Sequence, residues 1–342
     1  MNLLPSAEQL EIISAAVDFI DSRMPMSDIR DRAELDSAVD PDVWREGAEL
    51  GLLTLGLDEA HGGSGRQLDD EVLLFSALTK RLATGPFLAS TLAVRIAALC
   101  GDTELTERIG SGTAMVGLGE LRGDGALDAD GFKGSFDLID CVGASHVLLV
   151  ARHGAAVVEI GEFPDITPVA PIDPGIRLST STVVSGRVAH WLPDDTDPTW
   201  SRAQVLAAAS LAGLAEAARD MATEHAGTRI QFGKPIGVNQ AIKHMCADMA
   251  VSADASISQT LFAAIALQSG RADRTFQILS AKSVATRAAI DNAAHGIQVH
   301  GGMGYTYEHN AHLVLKRAHV YAHLFGEPTE VLAQLLEEGA AQ

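Results

Sequence analysis

Cysteine is scarce in this chain of 342 residues: Cys100, Cys141 and Cys246 are the only three, far apart and with no C-x-x-C spacing. That scarcity argues against a disulfide framework or a thiolate zinc site and suits a reducing compartment, with the three thiols read as buried apolar residues. Positive charge is short as well. Lys and Arg number 25 against 45 Asp and Glu, a net charge of −20. Nothing in that balance supplies the surplus cations that nucleic acid or an anionic membrane requires, so neither is an expected partner. No run of 18 apolar residues lacks charge or polarity, and Met1–Ile20 has no basic region ahead of an apolar one. Neither a membrane span nor a signal peptide is expected, and the expected location is cytoplasmic. What is plentiful is core material. AVILMFWYC make up 47% and charged residues 20%, enough for two or three domains at about 150 residues each.

The first third predicts helices. Ser6 and Gln9 form a capping box ahead of Leu10, Ile13, Ala16, Val17 and Ile20 at helical spacing. Asp40-Pro41 opens a second helix to about Leu50. A loop rich in glycine, ending Gly62-Gly63-Ser64-Gly65, separates it from a helix over Leu68–Leu82, and another runs from Ala89 to Cys100. From about residue 113 short apolar runs separated by Gly, Pro and Asp predict strands: Ala114–Leu118, Val147–Val150, Ala156–Ile160, Val183-Val184 and Arg187–Trp191. From about Ser201 the chain returns to long helices. One carries the stripe Ile242, Met245, Met249, Ala253, Ile257, Leu261, Ile265, and the next carries Ala281, Ala285, Ala288, Ala289, Ala293 and Gly296, small residues that let helices approach closely. The expected architecture is mainly α with a central β domain: helices over 1–112, a small β domain over 113–194 and a helical bundle over 195–342.

Two segments of the bundle could carry chemistry. Arg229-Ile230-Gln231-Phe232-Gly233-Lys234-Pro235-Ile236 ends a long helix, and an arginine beside a Gly/Pro turn can grip a diphosphate through its planar fork. By itself it is also an ordinary charge at a helix C-terminus. Gln298-Val299-His300-Gly301-Gly302-Met303-Gly304-Tyr305 frees backbone N–H groups for phosphate oxygens, or is simply a turn between helices. His244 and His300 read as packing or turn residues. His309, His312, His319 and His323 are placed along one helix. His319 and His323 have the i, i+4 spacing of metal ligands but no third ligand beside them, so no metal is expected.

Taken together, R-x-x-F-G-x-P-I followed by Q-x-H-G-G-x-G-Y in a helical C-terminal half resembles the acyl-CoA dehydrogenase family. Leu57-Asp58-Glu59-Ala60-His61-Gly62-Gly63-Ser64-Gly65 is similar to that family's P-E-x-x-G-G-x-G loop, and the helical–β–helical order matches. The resemblance implies a flavoenzyme fold that removes two hydrogens from an acyl-CoA, a glutamate taking the α proton and FAD the β hydrogen as hydride. It implies that Arg229, Phe232, Gly233, Gln298, Gly301 and Gly302 hold the ADP end of a neighbouring subunit's FAD.

The same resemblance exposes losses. The family base lies in a Tyr-Glu-Gly-Thr sequence, and anchoring on Gly326 puts Phe325 at its position, with Glu327 two residues on. The alternative base location, on the first long C-terminal helix, falls on Ala203. The family's T-E-P-x-A-G-S-D segment corresponds to Val116–Leu121 and its W-I-T/S-N segment to Phe136–Asp140, so the flavin-ring donors are gone. Groups serving a flavin ring in this chain's own site are missing, whereas groups reaching a neighbour's ADP end are present. The expectation is a subunit, non-catalytic in its own site, of a heteromeric FAD-dependent acyl-CoA dehydrogenase. A full-length family member would be its partner, as α2β2, with acyl-CoA as substrate and an electron-transfer flavoprotein as acceptor. It resembles the short actinobacterial subunits of steroid side-chain degradation. Two alternatives stay open: a self-sufficient enzyme using Glu327 as base, and a flavin-free structural or regulatory module. Glu224, Glu308 and Glu327 are otherwise expected to be solvated.

Overall fold

A computed structural model describes residues 3–339. Six helices come first: α1 (Ala7–Arg23), α2 (Asp28–Asp31), α3 (Pro41–Glu49), α4 (Leu68–Lys80), α5 (Phe87–Leu99) and α6 (Thr103–Gly110). Seven strands follow: β1 (Val116–Leu127), β2 (Phe132–Ile139), β3 (His146–Ala151), β4 (Gly154–Glu159), β5 (Thr167–Val169), β6 (Leu178–Gly186) and β7 (His190–Pro193). The last part comprises α7 (Thr199–Thr228), the two short strands β8 (Ile230–Gln231) and β9 (Lys234–Pro235), then α8 (Gln240–Gln268), α9 (Arg274–His300), α10 (Ala311–His323) and α11 (Pro328–Glu338). The fold is the expected one, mainly helical with a central sheet.

Contacts divide the described chain into two compact units, one formed by residues 3–17, 72–83 and 204–339, the other by 18–71 and 84–203. In the second unit the sheet runs β5-β6-β2-β1-β3-β4-β7. β1 is parallel to β3, with Leu118 opposite Leu148, and antiparallel to β2, with Leu118 opposite Ile139. Phe132, Phe136 and Phe163 interlock on it with ring centroids 5.0–5.6 Å apart, a geometry that adds to the area the rings bury. The same unit holds α3, opened as its sequence dictates: Asp40 accepts from the N–H groups of Asp42 and Val43, and Pro41 takes the first helical position. Trp44 of α3 packs on Phe87, 4.9 Å between centroids.

The first unit is a helical bundle. The capping box forms, Ser6 N–H donating to Gln9 Oε1 at 2.9 Å and Gln9 N–H to Ser6 Oγ at 3.2 Å. Every member of the small-residue stripe of α9 is buried, and Ala288 packs with Ala215 of α7 and Ala253 of α8. Gly213 is required there: a Cβ on it would lie 2.1 Å from the carbonyl oxygen of Ser76.

Four expectations are corrected. Arg187–Ala189 lie outside any strand and β7 begins at His190. Cys100 is exposed, because it caps the C-terminal end of α5 instead of packing inside it. The α8 stripe is only partly covered: Met249, Ala253 and Leu261 are buried, while Ile242, Met245, Ile257 and Ile265 are half-buried. His309 precedes α10 and is not on the helix with the other three histidines. By length and composition α8 would also pass for a membrane span, yet here it is a bundle helix that packs on α9 and buries Met249, Ser256 and Thr260 completely.

Candidate functional site

The two motif segments end neighbouring helices of the bundle. At the end of α7, Arg229 N–H continues the helix by donating to His225 O at 2.8 Å, and its own carbonyl accepts from Ile236 N–H at 2.9 Å. Between these bonds the chain makes the β8–β9 hairpin, Gln231 opposite Lys234. Its turn residues, Phe232 and Gly233, have φ of 51° and 77°, both positive, as a two-residue I′ turn demands. Phe232 is 102% exposed. Close approach of Gly237 to the Ala226 carbonyl, where a Cβ would sit at 2.9 Å, pins the hairpin's exit against α7.

At the end of α9 the helix stops at Gly301, with φ 64° and ψ −142°, a conformation open to glycine almost alone. Gly301 and Gly302 are exposed, and a Cβ on either would meet no other atom within 4 Å. Gly304 instead turns inward, packed against the Ile297 carbonyl. Gln298 is exposed beside them. The two helix ends are joined by imidazoles: ring centroids of His225 and His300 lie 4.4 Å apart, and those of His300 and His309 lie 4.3 Å apart. Arg229, Phe232, Gly233, Gln298, Gly301 and Gly302 therefore share one solvent-facing end of the bundle. An exposed guanidinium beside an open glycine pair can hold an oligophosphate, the fork by paired charge-assisted bonds and the glycines by close backbone approach.

The positions expected from the sequence to match a family base have the opposite character. Phe325 is 3% exposed with φ 56°, and its carbonyl accepts from Gln204 Nε2 at 3.0 Å. Ala203 is fully buried. Glu327 is exposed and lies 2.5 Å from His323 Nδ1, so its carboxylate already has a solvent-side partner. No cluster of three His, Cys, Asp or Glu among the described residues is placed to hold a metal.

The strand segments are equally closed. Val116 to Gly119 are buried in β1, where a Cβ on Gly117 would strike Cys141 Sγ at 2.4 Å and one on Gly119 would strike Leu149 at 2.5 Å. Phe136 and Leu138 belong to the sheet's core. Asp140, with φ 51°, spends a carboxylate oxygen on Arg177 N–H at 2.8 Å. These stretches present no hydroxyl donors and no ring to a ligand.

Sequence reasoning missed the buried charges. Lys282 is 1% exposed and donates to the carbonyls of Tyr321 and Ala322 at 2.7 and 3.2 Å, satisfying the end of α10 just before Phe325. In the other unit Glu71 is buried against Arg202, and burial pushes its carboxyl up despite Arg202 and Arg95. Arg95 in turn holds buried Asp197 at 2.9 Å. A charge inside an apolar stripe carries no periodic signal. The imidazole stack was equally hidden, since its members come from three separate segments.

Comparison with known proteins agrees with this architecture. Residues 6–114 match the model of the acyl-CoA dehydrogenase N-terminal domain and residues 199–340 that of the C-terminal domain. The chain is 32% identical over 312 residues to acyl-CoA dehydrogenase IpdE2 of Mycobacterium tuberculosis, covering 89% of this chain and 88% of that protein. Its fold matches the ChsE4–ChsE5 complex of the same organism with a TM-score of 0.86 at 22% identity, over 100% of both chains. A variant of the Tcur3481–Tcur3483 steroid ACAD gives the same TM-score at 23% identity, over 97% of both. The chain belongs to the acyl-CoA dehydrogenase family.

Proposed function

We propose that this chain is the half-site donor of a heteromeric, FAD-dependent acyl-CoA dehydrogenase: it completes the cofactor site of a full-length family member and performs no proton abstraction itself. The observation that carries the reading is the contrast between an open, polar helix-end surface around Arg229 and Gly301–Gly302 and an apolar, buried residue at each family base position. Decay of a whole enzyme would erode both. The ADP end of FAD fits the first surface, where the uncrowded glycines leave room for backbone approach. A flavin ring finds no donors along Val116–Gly119 or Phe136–Asp140.

In the complex, Arg229 would bind the diphosphate through its guanidinium fork, Gly301 and Gly302 would admit it to the backbone, and Gln298 would donate from its amide. Phe232, presented outward by its turn, would pack beside the nucleotide. FAD, when bound, supplies the hydride acceptor for the β carbon of the acyl-CoA. The α proton would go to a carboxylate of the partner, and electrons would leave through an electron-transfer flavoprotein. A steroid side-chain thioester is the substrate class we favour, since a solved structure described as a steroid ACAD shares the fold; α2β2 is the assembly we favour, since a closed pairing of unlike subunits gives each catalytic site one donor.

The test is Phe325→Glu in a complex whose partner base has been removed, assayed with an artificial electron acceptor. No activity is expected, because a base needs the flavin opposite it across the substrate and this chain offers the ring no contacts. Activity gained there would overturn the half-site reading and favour a self-sufficient site.

A further inference from the structure

The imidazole stack below the Arg229 surface has a role that packing alone does not require. His300 is 8% exposed, and its Nδ1 lies 2.7 Å from the Gly296 carbonyl. A carbonyl only accepts, so Nδ1 carries the proton and Nε2 keeps the free lone pair. His309 Nδ1 accepts the N–H of Ala311 at 3.0 Å. Nδ1 of His300 and Nδ1 of His309 are thus both engaged with backbone groups, which leaves the ring of His225. His225 is the outermost turn of α7 before Arg229, its ring 4.4 Å from that of His300. Burial, then His300, then the Arg229 guanidinium hold its pKa below the ordinary imidazole range. The titratable and charged groups placed against these rings are Arg229 at the end of α7, His300 of α9, and His309 ahead of α10. His312 of α10 lies 3.3 Å from the Tyr307 carbonyl.

We propose that the His225–His300–His309 cluster makes occupation of the Arg229 surface proton-linked: an oligophosphate bound at Arg229 and Gly301–Gly302 offsets the guanidinium's charge, and the protonated fraction of His225 rises. With its ring against that of His300 and the Arg229 guanidinium close by, His225 resists charging while the surface is empty. A bound dianion reverses the sign of the local field. The imidazolium then adds to the cationic surface, so affinity for the anion rises as pH falls through the window between the bound and the free His225 midpoints. The inference rests on the ADP-end reading of this surface.

The test uses the full chain with its histidine rings isotope-labelled, followed by NMR across pH with and without 20-fold excess over half-saturation of ADP, the His225 signal being assigned by its loss in His225→Phe. The expected result is an upward shift of the His225 midpoint by about one pH unit, with the matching tightening of ADP as pH falls, and loss of that pH dependence in His225→Phe while ADP still binds. ADP binding that is weakened by Arg229→Ala but leaves the His225 midpoint unmoved overturns this inference alone. ADP binding indifferent to Arg229→Ala overturns the reading of the surface. No perturbation of any ring by ADP up to tens of millimolar, a probe range set only by solubility, overturns both.

Discussion

Phe232 and Phe325 share a backbone conformation, φ of 51° and 56°, that bulky residues avoid, and share nothing else. Phe232 is wholly in solvent and Phe325 is 3% exposed. At 325 the surroundings explain the strain: Gln204 holds the carbonyl and Lys282 secures the preceding helix end, so the phenyl ring fills core space. At 232 the hairpin turn sets the conformation, and nothing among the described residues covers the ring. A residue costly to the free protein and useless to its own packing is what an assembly surface looks like before its partner is added. The difference separates a ring absorbed into the core from a ring left to solvent. One region has been filled as ordinary core, and the other is kept open at a cost.

Substitutions at three positions sharpen or break that contrast. Arg229→Ala should have the largest effect, weakening FAD in the assembled complex by about 1.5–3 kcal/mol, roughly 10- to 150-fold. Arg229→Lys should recover only part, because an ammonium lacks the planar fork. Arg219→Ala is the control on the same helix: Arg219 is already committed to Asp220 at 2.8 Å and Asp254 at 3.4 Å. Fluorescence titration of FAD into each complex would measure this, and equal affinities for the Arg229→Ala and Arg219→Ala complexes would remove the donor role. Gly302→Ala comes next. A Cβ there meets no atom within 4 Å, so the lone chain's stability, read by urea unfolding, should change by no more than about 0.5 kcal/mol. FAD affinity should nevertheless fall about 5- to 30-fold, as the loss of 1–2 kcal/mol of close backbone approach implies. Phe232→Asn should be the smallest. It turns the hairpin into Asn-Gly, the preferred I′ pair, and should stabilise the lone chain by about 1 kcal/mol while loosening its association with the partner, read by sedimentation. Destabilisation of the lone chain would mean that Phe232 packs for this fold after all.

Much of this was legible in the sequence, for reasons that differ by element. The capping box at Ser6 and Gln9 and the Asp40-Pro41 start are local chemistry, complete within four residues, and both form as read. The alanine stripe of α9 is a periodic signal and is buried throughout. The α8 stripe was equally periodic, yet half its members stay half-buried, since periodicity says which residues share a face and not what covers it. Arg187–Ala189 looked like a strand, but register with β4 begins only at His190 opposite Val157. The motif residues were found because glycines and an arginine stand at helix ends. The rings joining them were not, because His225, His300 and His309 meet only once the bundle has formed.

The flavin content of the lone chain tests the central claim most directly. Purified alone, incubated with excess FAD and desalted, the protein should show no stoichiometric 450 nm absorbance, since in the proposed role its own sheet would offer the ring no contacts and the Arg229 surface would bind only the nucleotide end. A stable band near one FAD per chain would contradict the account.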